Sequence, residues 1–197
     1  MTVQPILKMG NPILRRVADP IEDPTSSEIR ALVADMRESL DSVGGVGLAA
    51  PQIGVPLALV IFEVPVERAQ AADGEDAQAV APTVLINPVI EPLSDETALD
   101  WEGCLSVPGL RGVVPRHTHI RYSGLDLDGN KVSVEADGFH ARVVQHECDH
   151  LHGILYPQRM TDMRYLVYEE EMEAFMDSLR KPAENSARNE PDEESAS

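Results

Sequence analysis

The chain has 197 residues, enough for one sizeable domain and cramped for two, and 43% apolar content supplies an ordinary globular core. With 34 acidic against 16 basic residues the formal charge is −18, a surface that repels phosphate backbones and anionic lipid, so direct nucleic-acid binding and a membrane partner are not expected. Two cysteines are too few for a disulfide framework, no basic-then-apolar leader is evident, and no run of about 18 apolar residues occurs; the expected setting is soluble and cytoplasmic.

In chain order, residues 25–43 read as a helix, with Thr25 and Glu28 in a capping-box pattern and Ile29, Leu32, Val33, Met36, Leu40 and Val43 at helical spacing. Gly44 and Gly45 end it. "GGVGLAAPQIGVP" is too rich in glycine for a regular element and leads into an apolar strand, Leu57 to Val64. Residues 65–82 read as an exposed insertion loop, and "TVLINPVI" as a strand that Pro88 places at an edge or a bulge. Residues 113–136 form a hairpin pattern, "VVPRHTHIRYSGL", a turn at "DLDGN", then "KVSVEA". Asp137 is the expected N-cap of a helix through Leu151, with Gly153 as its stop. A last helix is expected from about Asp162 to Arg180. The domain so defined spans residues 1–181, and the acidic, apolar-poor residues 182–197 are expected to be disordered. No internal repeat is present.

Chemistry concentrates in "VVQHECDHLHG", residues 143–153. On a helix His146 and His150 project about 40° apart, and Glu147 lies about 100° round from His146, able to reach a metal-bound water without binding the metal. This H-E-x-x-H pattern suits metal-dependent hydrolysis, which needs a third ligand and an open position. His117, His119, His140, His152, Cys104, Cys148 and many carboxylates are candidates. Cys148 lies about 160° from His150 and reads as a packing residue; His117 and His119 fall on one face of a solvent-facing strand, and His140 stands a turn and a half before His146. Cys104, in "DWEGCLSVPG", follows a glycine that leaves room for close approach and precedes a turn-forming Pro-Gly.

Three segments together, "GVGLAAPQ", "EGCLS" and "QHECDHLHG", resemble in order and spacing the three motifs of the peptide deformylases, and "NPILRRVADPI" and "GLRGVVPR" extend the likeness over residues 5–180. The resemblance implies an α+β fold of antiparallel strands packed around a central metal-binding helix, with a C-terminal helix. It implies hydrolysis of the N-formyl group from the N-terminal formylmethionine of new polypeptides, with release of formate. Cys104 becomes the third ligand beside His146 and His150, Glu147 the acid–base residue, and the Gln52 side-chain amide and Leu105 N–H the donors to the oxyanion. Substrate would lie along Val46, Gly47 and Gly103, with the methionine side chain against Val46, Val143 and the stem of Arg142. Glu102 with Arg111, and Arg116 with Asp149, become candidate supporting pairs. Fe²⁺ is the implied ion, with Ni²⁺, Co²⁺ or Zn²⁺ as substitutes. Transient ribosome association is also implied, although "YEEEMEAFMD" in the C-terminal helix is too acidic for contact with RNA. Two rivals share the metal motif: a zinc endopeptidase, which lacks a downstream ligand here, and a non-catalytic metal-binding protein, for which Glu147 and Gln52 would be superfluous.

Overall fold

The computed structural model describes residues 2–180. Helix α1 (Ser27–Val43) is followed by β1 (Gly47–Ala49), β2 (Leu59–Val64), α2 (Val66–Asp73), β3 (Val80–Pro92), β4 (Thr97–Cys104), β5 (Val107–His117), β6 (His119–Leu125), β7 (Lys131–Asp137), α3 (Gly138–Leu151), β8 (Val167–Tyr168) and α4 (Met172–Arg180). The strands form a five-stranded sheet in the order β1-β2-β3-β6-β7 and a three-stranded sheet in the order β4-β5-β8. Pairing between these strands is antiparallel throughout.

Strand β2 shows why the larger sheet carries a helix on each face. Its side chains alternate, so Leu59 and Ile61 meet Ile29, Val33, Met36 and Leu40 of α1. Val60, Phe62 and Val64 meet Val143, Val144, Cys148 and Leu151 of α3. Fully burying side chains of this size stabilises by about 1.5–3 kcal/mol each. A third cluster, Val107, Val114, Leu155 and Tyr156, packs the smaller sheet. Helix α3 therefore lies between the sheets with ten of its residues buried, Arg142, Gln145, Glu147, Asp149 and His150 among them. Polar groups at such depth need partners, and those partners build the site.

Several local expectations are corrected. Ser26, not Thr25, caps α1 by accepting from the Ile29 N–H; Thr25 turns back to Asp23 instead. Residues 65–82 hold α2 and the start of β3 rather than a loop. The 113–125 segment is broken at Thr118: His117 ends β5 in one sheet and His119 opens β6 in the other, so the two histidines do not share a strand face. Pro88 marks a bulge in the middle strand of its sheet, not an edge, with Asn87 at φ 50° and its side chain bonded to Ile21 N and O. The turn after Cys104 falls at Leu105–Ser106, since Val107 already belongs to β5.

The last helix is much shorter than its apolar pattern suggested. Residues 162–180 contain a 3-10 turn, then β8 paired with Leu110 and Arg111, then a second 3-10 turn, and only then α4. Edge-to-face contacts among Trp101, Tyr165 and Phe175 hold this fold-back. The residues 182–197 lie outside the described region.

Candidate metal centre

Strand β4 ends where α3 passes beneath it, and period-2 alternation puts Glu102 and Cys104 on the same, inward side of that strand. On α3, His146 and His150 stand one turn apart with ring centroids separated by 5.2 Å. One ligand atom each from Cys104, His146 and His150 lies within 4.8 Å of the other two. Cys104 Sγ and His150 Nε2 are 3.4 Å apart. A tetrahedral edge spanned by a metal–sulfur bond and a metal–nitrogen bond is about 3.6 Å, so these residues fit a divalent ion and form a potential metal site.

The surroundings prepare the donors. The Ser106 N–H donates to Cys104 Sγ at 3.4 Å, and Gln52 Nε2 donates to the same sulfur at 3.6 Å, which suits a thiolate. His146 Nδ1 is hydrogen-bonded to Glu102 Oε2 at 2.8 Å, leaving Nε2 for the ion. Burial, and then His146 beside it, hold the His150 pKa well below its ordinary value, so this imidazole stays neutral.

Glu102 is a hub rather than a partner of Arg111. Its carboxylate accepts from Arg116 Nε and Nη2 and from Arg142 Nη1 at 2.9–3.0 Å. Burial alone would raise its pKa; the Arg116 and His146 hydrogen bonds overcome that and hold it well below the usual carboxylate range. Arg116 also donates to Asp149 at 2.5 Å, as expected, and Asp149 accepts from Arg159 as well. The Arg142 guanidinium is tied to Glu102, Val114 O and Ala98 O, while the residue also lines the cleft. Arg111 instead meets Glu169 at 2.7 Å.

Above these groups opens a cleft of about 450 Å³. Its lining includes Val46, Gly47, Gln52, Gly103, Cys104, Leu105, Arg142, Val143, His146 and Glu147; His150 lies below it, fully buried. Glu147 is buried with Oε2 unpartnered, and burial pushes its pKa up to about 7. Gly47 lies against it so closely that an added Cβ would sit 2.6 Å from Glu147 Cδ. Gln52 is fixed by accepting from the Ala49 N–H at 2.8 Å while its Nε2 donates to Ser106 Oγ at 3.1 Å.

Reasoning from the sequence missed Ser106, Arg159 and Tyr156, which stacks on His146 at 6.3 Å. Only Ser106 left a signal, two places after the candidate ligand cysteine. Of the remaining histidines, His140 packs between Phe62 and Tyr122, and His117 bonds Ser94 O. Cys148 is buried, which pushes its thiol pKa far up.

Residues 3–165 match the family described as Polypeptide deformylase. The chain belongs to the peptide deformylase family. It is 58% identical over 175 residues to peptide deformylase 1 of Bordetella pertussis, covering 89% of this chain and 97% of that one. A peptide deformylase 2 of Ralstonia nicotianae is 58% identical over 160 residues, covering 81% and 88%. Among solved structures, the Met-Ala-Ser-bound class I type b peptide deformylase of Acinetobacter baumannii matches with a TM-score of 0.73 at 37% identity, covering 81% of this chain and 99% of that one. The Ehrlichia chaffeensis peptide deformylase matches with a TM-score of 0.75 at 31% identity, covering 91% and 98%. As a peptide deformylase the chain is a metal-binding hydrolase of protein biosynthesis that removes formyl groups from polypeptides. Among the described residues no helix is long and apolar enough to cross a membrane.

Proposed function

We propose that this chain, as one catalytic domain, strips the formyl group from the N-terminal formylmethionine of newly made polypeptides, with Glu147 as its acid–base residue. The observation that carries this reading is the unpartnered Oε2 of buried Glu147 beside the Cys104, His146 and His150 cluster. A divalent ion held by those three residues would supply a Lewis acid and lower the pKa of a bound water. Fe²⁺ is the proposed ion; thiolate and imidazole donors also accept Co²⁺, Ni²⁺ and Zn²⁺.

The peptide is read as an added strand. Strand β1 is the terminal strand of its sheet, so one side of it has no partner strand among the described residues, and Val46, Gly47 and Gly103 line the cleft where such a strand would be added. The methionine side chain lies against Val46, Val143 and the stem of Arg142. Glu147 takes the proton of the attacking water at Oε2 while the oxygen bonds to the formyl carbon. Gln52 Nε2 and the Leu105 N–H donate to the oxyanion that develops there, each such donor supplying about 3–4 kcal/mol in a sheltered site. The C–N bond then breaks, Glu147 returns the proton to the leaving amine, and formate departs. Ribosome association, if the chain shares it, would not run through α4, whose flank carries Glu169, Glu170, Glu171 and Glu173.

The test is formate release from formyl-Met-Ala-Ser by protein purified anaerobically and loaded with Fe²⁺ or Ni²⁺. Turnover that disappears in Glu147→Ala while metal content is retained is the expected result. No release from fully metallated wild type would overturn the reading.

A further inference from the structure

The charged side chains that line the cleft are nearly all committed. Arg142 is tied to Glu102, Arg111 to Glu169, and His146 to Glu102. Glu147 lies at the base. One cation remains: Arg68 lines the same cleft, is exposed, and makes no ion pair among the described residues.

Its placement is built, not incidental. Arg68 rides on α2, whose neighbouring Ala69 is buried in the core that holds α3. At the far end of α2, Asp73 Oδ2 accepts from the Phe139 N–H at 2.7 Å, pinning the helix to the start of α3. Phe139 lines the cleft too. The base of the Arg68 side chain is thus held at the rim while its guanidinium stays free to move. In a molecule of charge −18, whose field repels anionic peptides, one uncommitted guanidinium at the mouth reverses that bias locally. Arginine also offers a planar fork that carboxylates accept in two bonds.

We propose that Arg68 is a specificity residue, which favours substrates carrying an Asp or Glu side chain among the residues that follow the formylmethionine. This rests on the deformylation reading of the same cleft. The contact is made far from the formyl carbon and equally in ground and transition states, so it acts on KM and leaves kcat alone.

The experiment compares C-terminally amidated formyl-Met-Ala-Glu, formyl-Met-Glu-Ala, formyl-Met-Ala-Lys and formyl-Met-Ala-Ser on metal-loaded wild type, Arg68→Ala and Arg68→Glu. Amidation leaves the glutamate side chain as the carboxylate under test. The kcat/KM of the better glutamate peptide, divided by that of the lysine peptide, should drop about two- to fivefold in Arg68→Ala, the range for an exposed ion pair. It should drop further in Arg68→Glu, and the differences should fade in 1 M KCl, where charges are screened beyond about 3 Å. A ratio unchanged in both variants, with the serine peptide still turned over, would overturn the role of Arg68 alone. Absence of formate from every peptide would overturn the deformylation reading and this inference with it.

Discussion

Gly47 and Glu147 lie so close that position 47 has no room for a side chain. An alanine at position 47 would bring a methyl within 2.6 Å of Glu147 Cδ, so the Glu147 side chain would have to shift. Displacing a reacting group by about 1 Å costs on the order of 100-fold in rate. Gly47→Ala is therefore expected to lower kcat by about two orders of magnitude with metal content unchanged, as steady-state assays and metal analysis would show. Arg116 presents the opposite problem, since it is buried between two carboxylates, Glu102 and Asp149. Arg116→Met strips a partner from both, and breaking a buried pair costs about 3–5 kcal/mol. Arg142 and Arg159 remain to hold the two acids, so the low end, about 3 kcal/mol, is expected in urea unfolding. The chemical spacing of His146, Glu147 and His150 was legible in the sequence because all three sit on one helix. Cys104 was not, because it reaches His150 across 46 residues from the end of strand β4; the resemblance singled it out. The Glu102 hub was equally hidden, its partners lying 14, 40 and 44 residues away.

At the scale of elements, α3 lacks the cap that its sequence advertises. Asp137 occupies the N-cap position without a side-chain hydrogen bond, and Asp73 of α2 supplies the oxygen from a distant part of the chain. Losing an N-cap acceptor costs about 1 kcal/mol. Asp73→Ala should thus lower the melting temperature by about 2–4 °C, whereas Asp137→Ala should leave it nearly unchanged; a thermal melt of each variant decides. The amphipathic stripe of α1 was plain in the sequence because Ile29, Leu32, Val33, Met36 and Leu40 face one core. Helix α2 was not, because Ala69 is its single buried residue and nothing periodic surrounds it. The C-terminal helix was overextended because the apolar residues from Tyr165 to Phe175 serve an aromatic cluster and a strand pair instead of one helical face.

Over the whole molecule, stability should vary with pH through a residue outside the site. His140 packs against Phe62 and Tyr122 with Nε2 buried and unpartnered. Burial lowers its pKa from 6.5, only partly countered by the charge of Asp137. Unfolded chains take up the proton below about 6.5 while the folded state resists, so this residue lowers stability as pH falls below that value and has no such effect above it. His140→Leu should flatten that dependence: the stability difference between wild type and variant should change from pH 7.5 to 5.5, in chemical denaturation at each pH. A difference that stays constant would refute the assignment.

Gly47, the β1 residue that lines the cleft, is itself buried, so the backbone that substrate is proposed to use lies sunk within the cleft. A folded surface cannot reach that depth, but an extended chain end, advancing about 3.3 Å per residue, can. Deformylation by such a site becomes a race. Each polypeptide must present its first residues before its own folding tucks them away, and a protein whose N-terminus enters a sheet early leaves the shorter time for processing.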